Sequence, residues 1–104
     1  MTFTFPWRTR KVKHPVAIKL FYEDPQARET MGVILGMTDG GVTYLTDLLV
    51  VEKYRGKGIG TLLVEQFIEA AKDTTIVLLT ADANDFYKKF GFEERAALVR
   101  KPKQ

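Results

Sequence analysis

A chain of 104 residues with 45% apolar content is one domain's worth of sequence and can bury a core of its own. It has no cysteine, which excludes disulfides, thiolate metal sites and a cysteine nucleophile and fits a reducing, cytoplasmic setting; no apolar run approaches the roughly 20 residues of a membrane span, and the N-terminus lacks a signal-peptide pattern. The formal charge is +3, with Arg8, Arg10, Lys11 and Lys13 near the start and Arg100, Lys101 and Lys103 near the finish, runs that could meet nucleic acid or a polyphosphate or simply be solvated tails.

Residues 1–15 read as an irregular N-terminal segment, with Pro6, Pro15 and an exposed His14, and residues 16–104 as a single domain. Val16, Ile18, Leu20 and Tyr22 alternate at strand spacing. "EDPQARE" then reads as a turn or loop, and residues 31–37, "MGVILGM", as a second strand. "TDGG" is a hairpin signal, with Asp39-Gly40 supplying the positive backbone angle of a tight turn. Residues 42–51, "VTYLTDLLVV", form the clearest strand; both faces become apolar near its end, as in a central strand. Ile59, Leu62, Leu63, Phe67, Ala70 and Ala71 recur at helical spacing, predicting a helix that ends near Lys72 or Asp73.

Residues 74–81, "TTIVLLTA", read as a buried strand. A short helix follows, capped by Asp82 with Asp85 at the capping-box position, Phe86 and Phe90 on one face, and Gly91 as a left-handed stop. The remainder, "FEERAALVRKPKQ", has room for one more strand. The order predicts an α/β (α+β) sheet of three antiparallel strands, then helix, strand, helix and last strand, with a crossover in its second half.

Between the third strand and the long helix, "YRGKGIGTLLVEQF" sets Gly56, Gly58 and Gly60 where a helix begins. First-turn N–H groups there lack internal partners, and the helix dipole adds positive charge. Bare backbone lets an anion approach, a phosphate above all, and Arg55 and Lys57 could add charge-assisted contacts. A glycine-rich turn without a ligand fits the same spacing. The segment is neither a nucleoside-triphosphatase loop nor G-x-G-x-x-G.

"RGKGIG" matches [RQ]-x-x-G-x-[GA], and through it the chain resembles the GNAT superfamily of N-acetyltransferases. "LLVVEKYRGKGIGTLLVE" is similar to that family's fourth strand, loop and following helix, and "FYKKFGF" to its second signature, so residues 42–92 carry the resemblance. It implies a mixed, mainly antiparallel twisted sheet with helices packed on it. It also implies that Arg55, Gly56, Lys57, Gly58, Ile59, Gly60 and Thr61 cradle the pyrophosphate of acetyl-coenzyme A. The fourth strand would splay from the fifth, its backbone pairing with the pantetheine arm beside Leu48, Leu49 and Val50, whose side chains join the core. A backbone N–H near Leu49 or Val50 is the candidate oxyanion donor.

Tyr87 matches the tyrosine that faces the coenzyme sulfur as general acid; on the residues alone it is a packed aromatic between Phe86 and Phe90. Asp47 is the best-placed carboxylate for a general base, with Glu52 second, and Asp47 reads equally as a hydrogen-bonded structural carboxylate. Thr80 and Thr75 stand where many members carry asparagine and glutamate, which leaves Asn84 as a partial substitute. Residues 1–15 are too short for the family's first strand and two helices, and the tail after Gly91 is short of the closing strand pair. The acceptor half is thus reduced, and a homodimer could supply missing walls, or a large acceptor could dock on an open face. The reading implied is direct acetyl transfer from acetyl-coenzyme A to a primary amine, of a small molecule or a protein, with no metal. The alternative is a non-catalytic coenzyme-binding regulatory module. Aromatics at core positions rather than among the charges count against a nucleic-acid module.

Overall fold

The structure, a computed structural model, describes residues 16–103. The irregular segment expected over residues 1–15, with His14 and the first basic cluster, lies outside them. Strands β1 (Val16–Asp24), β2 (Glu29–Thr38) and β3 (Val42–Val50) form an antiparallel meander, joined by helix α1 (Ile59–Ala70) to a short strand β4 (Thr75–Val77) parallel to β3. Helix α2 (Asn84–Lys88) follows, and the sheet order is β1-β2-β3-β4.

Each turn has a local cause. Of the turn or loop expected over "EDPQARE" the structure has a tight turn: the Asp24 carboxylate accepts the N–H groups of Gln26 and Ala27 at 2.9 and 3.2 Å and closes the chain within residues 25–28. Pairing then continues through Glu23 with Thr30 and Asp24 with Glu29. Asp39 does the same for the second hairpin, accepting from Gly41 and Val42 at 2.8 Å each, with Gly40 at φ +92°.

The core lies between the sheet and α1, where Ile34 and Leu45 meet Ile59, Leu63, Val64 and Phe67. Ile18, Leu20 and Tyr22 pack on it as their alternation predicts, whereas Val16 is exposed. Leu62 and Ala70, placed on the apolar stripe by spacing, lie toward solvent, and Val64 takes a core position instead. Two glycines of β2 let α1 sit this close. A Cβ on Gly32 would stand 2.9 Å from Leu63 Cδ1, and one on Gly36 would stand 2.4 Å from Phe67 Cζ and 2.6 Å from the Tyr44 carbonyl. Gly36→Ala should therefore overpack a site with backbone on one side and a fully buried ring on the other. We expect a loss of about 2–3 kcal/mol, read from urea unfolding.

The second half departs from expectation in three places. The strand expected over residues 74–81 pairs only through Val77, and Val77 and Leu79 are 43% and 58% exposed rather than buried, because they alternate with Ile76 and Leu78, which pack on the core, and lie on the opposite face. The last strand is absent among the described residues: nothing after α2 is helix or strand, and Leu98 and Val99 face solvent. Three residues of β4 are a short template, and "AALV" is a short apolar run to seat on it. Asp82 does not cap α2; the Thr80 hydroxyl instead accepts the Ala83 N–H at 3.1 Å, one residue before the helix. Gly91 stands at φ +88°, as its role in a helix stop requires.

Candidate active site

The site begins at an irregularity in β3. Gly36 pairs with Leu45 and Leu35 with Asp47, so Thr46 is an extra residue, and its hydroxyl donates to the Leu35 carbonyl at 3.1 Å. This is a β-bulge, and it has two consequences. Parity changes: Thr43 and Leu45 are buried before it, whereas Leu48 and Val50 are the half-buried residues after it and pack on the core beneath α1. Leu49 therefore points away from the helix at 57% exposure, which corrects its expected place in the core. Pairing with β4 also ends at Tyr44 opposite Val77, so residues 45–50 carry β2 on one side and no strand on the other.

The open edge has a definite polarity. The Val51 N–H bonds the Met31 carbonyl on β2 at 2.8 Å, so in the antiparallel alternation the peptide groups of Leu48 and Val50 turn the other way, outward. The Val50 carbonyl is taken there by Arg55 Nε at 3.1 Å. Of the two amides named as oxyanion candidates, Val50 N–H is the one that faces the opening.

The glycine loop closes one end of this opening. Gly56 and Gly58 stand at φ +79° and +80°, and a Cβ on either would meet nothing within 4 Å. Gly58 occupies the N-cap of α1, and no side chain caps the helix. The Leu62 N–H makes the first helical bond, to the Gly58 carbonyl, which leaves the N–H groups of Ile59, Gly60 and Thr61 without protein partners among the described residues. No carboxylate lies in the first turn to compete for the dipole. Ile59 contributes backbone only, since its side chain is buried in the core. Gly60 is the meeting point: its missing Cβ would lie 3.7 Å from Phe86 Cζ, 3.7 Å from Val50 Cγ2 and 3.9 Å from Leu48 Cδ2. The helix start, the open strand and α2 thus converge on one position.

Tyr87 follows Phe86 on α2. Its half-buried ring packs edge-on against Phe86 at 5.1 Å and Phe92 at 5.7 Å, and burial pushes its hydroxyl above the ordinary tyrosine value. It borders a cavity of about 530 Å³ with Tyr44, Val77, Leu79 and Phe92. Asn84 and Lys88 line the same cavity but are engaged with Glu94, the Asn84 amide donating to its carboxylate and Lys88 Nζ lying 3.6 Å away. Those partners hold the Glu94 carboxyl below the usual carboxylate range. Asp47 is exposed on the face turned away from α1, and Glu52 opens an exposed turn of 3-10 helix (Glu52–Tyr54); neither lines the Tyr87 cavity.

Sequence reasoning missed Thr46, Phe86 as the neighbour of Gly60, and Tyr54. Residues 42–51 carry no sign of the bulge, because apolar residues fall on both parities on either side of Thr46. Among the described residues no helix is long and apolar enough to cross a membrane, and no group of three or more carboxylates and histidines is placed to hold a metal.

A mixed sheet whose splayed seam meets an uncapped glycine-rich helix start is what the resemblance to the acetyltransferases implied. The chain belongs to the GNAT acetyltransferase family: the family model described as "Acetyltransferase (GNAT) domain" matches residues 16–94. No curated protein matches it. Solved structures do. An acetyltransferase from Bacillus cereus is 25% identical with a TM-score of 0.73, over 86% of this chain and 68% of that one. A GNAT family protein from Streptococcus pneumoniae is 23% identical, TM-score 0.69, over 83% and 71%. Glucosamine-6-phosphate N-acetyltransferase from Arabidopsis thaliana is 18% identical, TM-score 0.71, over 83% and 66%, a likeness of fold. The chain spans about two thirds of the length of such relatives.

Proposed function

We propose that this domain binds acetyl-coenzyme A and passes its acetyl group directly to a primary amine, carried by a small molecule or a protein. The observation that supports this most is the convergence at Gly60 of unpartnered helix-start amides, an outward-facing strand edge and the helix bearing Tyr87. The chain's donors fit the carrier: bare amides of residues 59–61 suit a pyrophosphate, and the free edge at Leu48 and Val50 suits an amide-bearing arm laid along it like an added strand. Acetyl-coenzyme A would supply an acetyl group activated as a thioester. Val50 N–H would stabilise negative charge on the acyl oxygen, and Tyr87 would hold a proton near the sulfur. No cysteine exists to take the acyl group first, so transfer is direct.

The acceptor amine must be neutral to attack. For a lysine-like amine this costs about 4.6 kcal/mol at pH 7, which a base or a dry site has to offset. Asp47 and Glu52 both lie away from the Tyr87 cavity, and that placement favours a second reading, a coenzyme-binding module without turnover. Thiol release separates the two. The protein has no thiol of its own, so a thiol-reactive dye reports free coenzyme alone. Amine-dependent release across a panel of small amines and lysine peptides is the expected result; tight coenzyme binding with no release for any amine would leave the binding module standing.

A further inference from the structure

Between Val51 and Gly58 every residue is exposed except Tyr54, which is 7% exposed. Tyr54 does not belong to the core cluster beneath α1. Its hydroxyl crosses to the β1–β2 turn and contacts both carboxylates there, Asp24 Oδ2 at 3.2 Å and Glu29 Oε2 at 3.0 Å. Lys53 pairs with the same Glu29, and its ammonium lies 5.1 Å from the Tyr54 ring centroid. Lys57, inside the glycine loop, lies 5.7 Å from that centroid. The loop thus has one residue that reaches down into the protein, and it grips a turn 25 and 30 residues away in sequence.

Both carboxylates have partners besides the tyrosine. Backbone N–H groups of Ala27 and Gln26 keep Asp24 below the usual carboxylate range, and Lys53 does most to lower Glu29. They form a fixed, charged seat for one hydroxyl. The loop needs such a seat. Gly56 and Gly58 have wide conformational freedom, and a loop that must be ordered by its ligand loses affinity. Val51 N–H on Met31 ties the start of the loop to β2, and Arg55 Nε on Val50 ties it to the end of β3, the strand it leaves. Among the described residues the tie to the β1–β2 turn is made by Lys53, through its exposed ion pair with Glu29, and by the buried Tyr54 hydroxyl, which reaches both carboxylates.

We propose that Tyr54 is a positioning residue for coenzyme binding: clamped by Asp24 and Glu29, it fixes the Glu52–Tyr54 turn so that Lys57 and the amides at the start of α1 already converge before the pyrophosphate arrives. This rests on the reading of the loop as a coenzyme cradle, and the test separates the two.

Tyr54→Phe keeps the ring beneath Lys53 and Lys57 and leaves Asp24 and Glu29 with their other partners, so the fold should persist. Titration calorimetry with coenzyme A should show a dissociation constant about ten- to a hundredfold higher than wild type, in line with loss of a hydrogen bond to a charged acceptor. KM for acetyl-coenzyme A should rise in step while kcat stays unchanged, and hydrogen exchange at residues 56–61 should quicken in the free protein. Asp24→Asn with Glu29→Gln should move the same quantities in the same direction. A role in stability alone would lower the melting temperature and leave KM where it was, and that result overturns the proposal. Wild-type binding with Tyr54→Phe equal to it overturns the anchor and spares the cradle; no coenzyme binding by the wild type overturns both.

Discussion

Gly58→Val should cut coenzyme A affinity by upwards of about 100-fold while the domain stays folded, because in the proposed cradle the residue sets the backbone angle that aims the amides at the pyrophosphate. Its φ of +80° is a left-handed angle at the N-cap of α1. A side chain there costs about 1–2 kcal/mol, and β-branching makes the angle a true outlier. The chain can relieve that strain only by turning the loop, which swings the unpartnered amides of Ile59, Gly60 and Thr61 away from a common focus. A Cβ on Gly58 meets no protein atom within 4 Å, so the added methyls are tolerated by the protein and stand in open space beside the helix start. Loss of two or three charge-assisted hydrogen bonds, at about 1.5–3 kcal/mol each, accounts for the size of the effect. Gly40→Val is the matched control. Gly40 also has a positive φ, +92°, and open space around it, but it lies in the β2–β3 turn. It should lower stability by a similar amount and leave calorimetric coenzyme affinity unchanged. Equal affinity in Gly58→Val and wild type would remove the loop from the binding site.

That contrast also shows what a sequence exposes and what it hides. The glycine loop was legible because positive backbone angles and close approach are demands on single residues, and "RGKGIG" meets them in a row. The β2–β3 hairpin was legible for the same reason, through Asp39 and Gly40. Features that depend on two segments meeting were not. Thr46 looks like any strand residue until its partner strand counts one residue fewer. Gly32 and Gly36 look like flaws in "MGVILGM" until Leu63 and Phe67 arrive from a helix some thirty residues later. Leu49 reads as core because apolar strand residues usually are, and the bulge alone puts it outside. The last strand failed on the opposite ground: "AALVR" has strand composition, but strand formation needs an edge to pair with, and β4 offers three residues. Asp82 has the right chemistry for a cap, and Thr80 takes the Ala83 N–H instead. Of the candidate site, the phosphate end came from local grammar. The acceptor end depends on tertiary placement, as Asn84 shows by turning to Glu94.

Tyr87→Phe should lower kcat about 100-fold or more, the usual loss for a general acid, and leave KM for acetyl-coenzyme A near its wild-type value. The substitution is clean: the ring keeps its edge contacts with Phe86 and Phe92, and a half-buried hydroxyl is removed, so thermal stability should hold. The proton balance says how Tyr87 must act. A thiol titrates near 8.5 and a phenol near 10, so full transfer to a free thiolate is uphill by about 2 kcal/mol in water. Burial raises Tyr87 further, which taken alone makes it a weaker acid. A sulfur held in the same dry setting rises with it, because desolvation penalises both anions. Tyr87 is then a hydrogen-bond donor to the sulfur while negative charge grows there, and it yields its proton late. The protonated form is the active one, so wild-type activity should fall on the alkaline side only as pH passes the raised tyrosine value, above 10. The phenylalanine variant should lose that alkaline limb together with its rate. A variant that turns over within about twofold of wild type and keeps the same limb would assign the proton to another group and return Tyr87 to packing alone.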